Sequence, residues 1–271
     1  MKKASKPIRF LIEAEKYTST VERGRTDLVY MKRQHHYQVK SRIVDVFGPL
    51  WIAGFSDLAP RSLMVESGGR EFEPVGRYGF FAPAHSLIHW TVSPGQVIWE
   101  AVASASVDLP DALQGREPFL FEWNGSVPES FPALVEMLSG SKSRVYVDQQ
   151  RTQSPLAQRV KHEIDHLYSE RLSISKVASG LGYAWSYMTR EFKKAYGVTP
   201  VEYRHRVRLF SAIRLLAQGK PVTEACFDSG FSSLTQFNWH FKRHLGALPT
   251  QYSYEKNHSK VVSTGDAVAS I

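Results

Sequence analysis

Two stretches of this chain spell one pattern twice: VASGLGYAWSYMTREFKKAYGVTP over residues 177–200 and ACFDSGFSSLTQFNWHFKRHLGALP over residues 225–249. In each, a short helical run carrying a small residue ends at glycine followed by an aromatic. A turn of one to three residues comes next, then a second helical run with Phe-Lys near its end, then glycine, then proline three residues on. The repeat pairs Ala178 with Cys226, Gly182 with Gly230, Tyr183 with Phe231 and Met188 with Phe237. Further on it pairs Phe192-Lys193 with Phe241-Lys242, Gly197 with Gly246 and Pro200 with Pro249. Two helices crossing steeply over a tight turn need a small residue at the crossing and a glycine in the turn, so each copy reads as a helix-turn-helix.

The second helix of such a unit must be two-faced. In the first copy Ala184, Met188 and Phe192 fall on one stripe, expected in the core. Ser186, Thr189, Arg190 and Lys193 recur at i, i+3, i+4 and i+7 on the other, with Trp185 beside them. Hydroxyls and arginine on an exposed face suit base edges and phosphates. In the second copy Phe237 and Phe241 are expected inside, and Thr235, Asn238, Trp239 and Lys242 outside. Ser233 and Leu234 sit at the N-terminal end that would enter the groove. One polar helix face is ordinary on any surface helix. Two in-phase copies joined by the basic stretch YRHRVRLFSAIRLL (203–216) are much harder to derive from packing alone.

On GYAWSYMTREFKKAYGVTPVEY, RLFSAIRLL and GFSSLTQFNWHFKRHLGALPTQY, residues 156–253 resemble the DNA-binding domain of the AraC/XylS regulators. The resemblance implies two helix-turn-helix units bridged by a long helix, with recognition helices in successive major grooves roughly 34 Å apart. Because the units differ, the site read would be asymmetric. Carried over by position, Ser186, Thr189 and Arg190 are the base readers of the first unit, and Ser233, Leu234, Thr235, Asn238 and Trp239 hold the matching places in the second. Members of the family often have arginine where this chain has Trp239, a polar residue at Leu234 and alanine at Cys226. The second helix is therefore expected to lean on thymine methyls and phosphate anchoring, and Cys226 to be a small buried residue rather than a redox sensor.

Charge agrees with an anionic partner. Residues 1–151 hold 18 Lys/Arg against 17 Asp/Glu, whereas residues 152–260 hold 16 against 8, so the net +8 belongs to the repeat-bearing part. Upstream of it the character changes. From Arg42 to Ala103, runs such as SRIVDVF, LWIAGF, YGFFA and LIHWTV alternate with turn formers (Gly48-Pro49, Ala59-Pro60, Ser67-Gly68-Gly69, Ala82-Pro83, Ser93-Pro94-Gly95), which reads as an antiparallel sandwich or small barrel. Residues 130–139 read as one short helix and 139–155 as a linker. Leu156, Val160, Ile164 and Leu167 then open an all-α region behind Ser154-Pro155.

The family resemblance implies a cupin-like barrel here that senses an effector or pairs subunits. Its aromatics (Trp51, Phe55, Tyr78, Phe80, Phe81, Trp90, Trp99) suit either a core or an effector pocket. His85 and His89, four apart, would share one strand face, but no carboxylate motif accompanies them and no metal is expected. The tandem His35-His36 lies in MKRQHHYQVKSR, part of a long basic N-terminal extension ahead of the barrel, and reads as solvated surface. No Gly-rich phosphate loop or nucleophile elbow occurs, and KHEIDH (161–166) lacks the zinc-binding spacing, so neither catalytic residues nor a cofactor are expected. With no apolar run of about 18 residues and no secretory leader, the cytoplasm is the expected compartment.

The sequence thus predicts an α+β protein. Residues 1–150 form a β-rich regulatory, sensing or dimerisation domain, 156–256 a double helix-turn-helix, and 258–271 a disordered tail. The expected function is sequence-specific transcription regulation, activating rather than repressing. The expected partners are double-stranded DNA, RNA polymerase, a small-molecule effector and a second copy of the chain, with no membrane. The alternatives are a repressor without an effector and a cupin-type enzyme with a helical appendage.

Overall fold

Along a strand neighbouring side chains point to opposite faces, and in the middle of the main sheet both faces are covered. In the computed structural model, which describes residues 8–14, 17–23, 29–104, 109–115, 117–141, 143–171 and 173–252, twelve strands form two antiparallel sheets among those residues. The expected tail lies outside the described residues. The larger sheet runs β1 (Ile8–Ala14), β2 (Tyr17–Arg23), β3 (Val29–Tyr37), β10 (Gly95–Ser104), β5 (Trp51–Leu58), β8 (Gly76–Ala82), β11 (Phe119–Glu122), β12 (Arg144–Tyr146). The smaller runs β4 (Ser41–Val46), β9 (Leu87–Val92), β6 (Leu63–Ser67), β7 (Arg70–Phe72). Ile52, Phe80, Ala101 and Leu120 point between the sheets, against Val65, Ile88 and Trp90. Their neighbours Ala53, Phe81, Val102 and Phe121 point the other way, under Leu134 and Leu138 of α1 (Phe131–Gly140). The result is two antiparallel sheets packed face to face, with one helix on the back of the larger.

Two expectations fail here. The basic stretch before residue 40 is not an extension: β3 pairs with β10 from Val29 to Tyr37, with Met31, Arg33, His35 and Tyr37 lining a cavity. His35 is half-buried rather than solvated, and burial, then Arg33 and His36, push its pKa down to about 3, so it is neutral. Nor is 139–155 a free linker. β12 pairs with β11, Val147 is buried, and the Asp148 carboxylate accepts the amides of Gly68 (3.1 Å) and Gly69 (2.7 Å).

The helical half comprises α2 (Pro155–Leu167), α3 (Ile174–Gly180), α4 (Trp185–Tyr196), α5 (Pro200–Ala217), α6 (Val222–Asp228) and α7 (Leu234–Leu245). Ser154 caps α2, its hydroxyl accepting from the Ala157 amide at 3.3 Å. A reciprocal capping box opens α5: Thr199 Oγ1 accepts from the Glu202 amide (3.2 Å) while Glu202 Oε2 accepts from the Thr199 amide (2.9 Å). Long α5 then supplies both cores. Tyr203 and Val207 pack with Val160, Ile164, Met188 and Phe192. Leu209, Ala212 and Leu216 pack with Cys226, Phe237 and Phe241.

Candidate nucleic-acid interface

The paired residues of the repeat occupy matching places. Ala178 and Cys226 are both buried where the short helix of each unit crosses its neighbours. Burial pushes the Cys226 thiol up to about 11, so it stays protonated. Met188 and Phe237, and Phe192 and Phe241, are fully buried. Gly197 and Gly246 end α4 and α7 in the left-handed conformation, their amides donating to the carbonyls of Lys193 and Lys242, both at 2.9 Å. One pair differs: Phe231 is buried, but Tyr183 is exposed and stacks on Tyr187 at 5.8 Å between ring centroids.

On α4 the outer face is Trp185, Ser186, Tyr187, Arg190, Lys193 and Lys194. The Arg190 side chain is 72% exposed and rests over the Tyr187 ring at 5.3 Å. On α7 it is Thr235, Gln236, Asn238, Trp239, Lys242 and Arg243, with Arg243 over the Trp239 ring at 4.9 Å. Each helix thus carries an arginine steadied by an adjacent aromatic. The lysines and arginine of the last turns sit where the helix dipole favours positive charge, and their heads reach solvent, where a phosphate would lie.

Three residues, Ala184, Thr189 and Leu234, are placed otherwise than expected, while Ser233 stands at the N-terminal end of α7. Ala184 is the exposed N-cap of α4, and Ala195 and Tyr196 complete the buried stripe instead. Thr189 is turned partly inward, its hydroxyl covered and without a hydrogen-bond partner. Ser233 is the N-cap of α7, its hydroxyl facing the Gln236 amide at 3.5 Å. Leu234 packs partly against the second core. Tyr187, Lys194, Gln236 and Arg243 were missed because an i, i+3, i+4, i+7 stripe describes a narrow seam, whereas a free helix face is wider.

The two histidines weighed as a metal pair are separated by their partners. His85 lies before β9 in a turn with φ 62°, so strand parity does not apply to it, and its Nδ1 is 3.4 Å from Asp165 of α2. His89 is buried with Nε2 3.1 Å from the Gln149 carbonyl. Among the described residues no cluster of three or more His, Cys, Asp or Glu is placed to hold a metal, and no helix is long and apolar enough to cross a membrane.

The two units are locked by buried polar groups. Arg208 of α5 donates through Nε to the Tyr168 carbonyl and through a terminal nitrogen to the Glu170 carbonyl (2.8 Å), closing the C-terminal end of α2. Residues 177–254, set on this frame, match the helix-turn-helix domain family.

Residues 177–254 are an AraC-type helix-turn-helix domain.

The chain is 30% identical over 90 residues to the transcriptional regulatory protein HptR of Staphylococcus aureus, a match covering 33% of this chain and 36% of HptR. The chain therefore spans about a third of the length of the curated relatives it matches. Among solved structures, the C-terminal domain of AraT, a response regulator from Geobacillus stearothermophilus, is 27% identical (36% of this chain, 84% of that one, TM-score 0.35). ToxT from Vibrio cholerae is 12% identical and covers 82% of this chain and 97% of its own, with a TM-score of 0.48.

Proposed function

We propose that this chain is a sequence-specific transcription regulator of the cytoplasm, with no enzymatic activity. Its two AraC-type units read an asymmetric site in successive major grooves, and its barrel (residues 1–150) regulates the reading half (156–256). The observation that carries this is the pair of in-phase, cationic outer faces on α4 and α7, hung on the single helix α5. Arg190 and Ser186 are the base readers of the first unit; Asn238, Trp239, Thr235 and Gln236 are those of the second. Lys193, Lys242 and Arg243 hold phosphates, and the exposed Trp185 supplies apolar contact. Activation through RNA polymerase is the proposed outcome, on a chain able to pair with a second copy.

Selection of bound sequences from a randomised duplex library, with the full chain, tests the reading. Two unlike blocks about one helical turn apart are expected. Arg190→Ala should erase information in one block and Trp239→Ala in the other. Enrichment of nothing above a salt-sensitive background would refute it.

A further inference from the structure

One expectation is overturned by the residues themselves. KHEIDH (161–166) sets His162 and His166 four apart with Glu163 directly after the first, which is the zinc-binding H-E-x-x-H spacing. We propose that this pair, on the outward side of α2, is a binding site for one divalent transition-metal ion of the zinc or copper kind. The inference goes beyond the reading of DNA and does not rest on it.

Residues four apart are neighbours on one helix face. The structure brings the pair together, with imidazole centres 4.2 Å apart and rings tilted by 51°. Two imidazoles bound to one ion at about 2.1 Å per nitrogen hold their ring centres roughly 4.5–5 Å apart. A small rotation of either ring therefore admits the ion. His166 Nδ1 lies 2.8 Å from the His162 carbonyl. A carbonyl only accepts, so that nitrogen carries the hydrogen and Nε2 keeps the lone pair that a metal needs. A backbone carbonyl is a common outer partner of a metal-bound histidine. Both residues are exposed, so an ion can enter and complete its shell with water.

The nearest carboxylates explain why the protein supplies two ligands. Asp165 is turned away and taken by Lys161 at 2.7 Å. Glu163, three residues before His166, flanks the pair and offsets the charge of Arg159, three before His162. Catalytic zinc sites have three protein ligands, so this one suits binding rather than hydrolysis.

Access and charge separate it from the other histidine pair at the same spacing. His240 and His244 of α7 are half-buried, their ring centres 5.9 Å apart, with His205 packed 3.9 Å from His240. Burial, then Arg206 and Arg243, resist positive charge at His244, as burial and Arg243 do at His240. An ion on α2 has a further consequence. The histidines meet only while α2 is helical, so binding stabilises the folded chain by linkage. It does so on the helix whose Val160 and Ile164 pack with Met188 and Phe192 of the first unit.

Calorimetric titration of the untagged full chain with Zn²⁺, Cu²⁺ and Mg²⁺ tests the site. The tightest Zn²⁺ site should hold one ion per chain and bind at least about a hundredfold tighter than Mg²⁺, with Cu²⁺ tighter still. His162→Gln and His166→Gln should each weaken Zn²⁺ binding at least about tenfold, whereas His244→Gln should leave it unchanged. As a second readout, Zn²⁺ should raise the urea midpoint of the wild type and not that of His166→Gln. Absence of Zn²⁺ binding, Mg²⁺ binding as tight as Zn²⁺, unchanged affinity in either α2 variant, or its loss in His244→Gln would overturn the proposal.

Discussion

Replacing the turn glycine of each unit by alanine should give unequal losses, although the sequence repeat makes the two positions equivalent. Gly182 has φ +76° with nothing within 4 Å of an added Cβ. Gly230 has φ +93°, and its added Cβ would stand 2.6 Å from the Ser169 carbonyl oxygen, 2.7 Å from Ser169 Cα and 2.9 Å from Arg208 Nε. Both variants incur the cost of alanine in a left-handed conformation, about 1–2 kcal/mol. Only Gly230→Ala adds overpacking, about 1–3 kcal/mol, against backbone that cannot rotate away. It also pushes Arg208, 6% exposed, off the carbonyls of Tyr168 and Glu170, and leaving such groups unpaired costs about 1–3 kcal/mol. Gly230→Ala should therefore lose about 3–8 kcal/mol, against about 1–2 for Gly182→Ala. Urea unfolding of the full chain followed by far-UV circular dichroism reads both, as midpoint shifts at constant slope. Equal losses would show that α2, α5 and α6 do not meet as described.

Arg190→Ala should weaken target binding by about 1–3 kcal/mol and relax specificity at one position. Lys193→Ala or Lys242→Ala should weaken all sequences alike and reduce the salt slope by about 1, in titrations across ionic strengths. Thr189→Val buries a methyl where the covered hydroxyl has no partner, so stability should hold or rise and the selected motif stay unchanged; a lost base preference would return Thr189 to the groove. Burial alone would raise the pKa of Asp165, but hydrogen bonds and charge from His85 and Lys161 outweigh it and lower it below the ordinary value. A depressed carboxylate stabilises the fold above its unfolded pKa and loses that contribution as pH falls through the folded one. The stability gap between wild type and Asp165→Asn should thus shrink as pH falls through and below the ordinary aspartate range.

The helical half was legible because its signals are local. Glycine at a turn, a phenylalanine stripe at helical spacing and Ser154 before Pro155 act within a few residues of themselves. What the sequence hid depends on partners far along the chain. β3 looked like a basic extension because Arg33 and His35, which point inward, carry the polarity expected of an outer face. Its nine-residue pairing with β10 joins positions more than fifty residues apart. His85 was misread because alternation along a strand means nothing in the turn before it. Thr189 and Leu234 differ from their expected exposure by a modest rotation about a helix axis, which periodicity resolves only to the width of a face.

The interface between barrel and helices has a consequence for how the two readers are spaced. Each unit's core takes in barrel residues, Val46 and Leu87 in the first and Met31 in the second. Between them α5 lies against the barrel so closely that an added Cβ on Gly48 would fall 2.5 Å from Phe210 Cβ. Phe47 meets the Phe210 ring at 5.7 Å, and the Tyr203 hydroxyl donates to Asp165 with the His85 carbonyl at the barrel edge 3.3 Å away. Two recognition helices hung on one rigid rod would have their separation fixed by the rod alone. Here the first unit is also tied to β4 and the second to β3, strands of different sheets. A change in the distance between those sheets is therefore transmitted to the two units unequally, and Gly48→Ala, which pushes α5 off the barrel without touching either outer face, should alter the preferred spacing between the two DNA blocks while leaving the bases within each block unchanged.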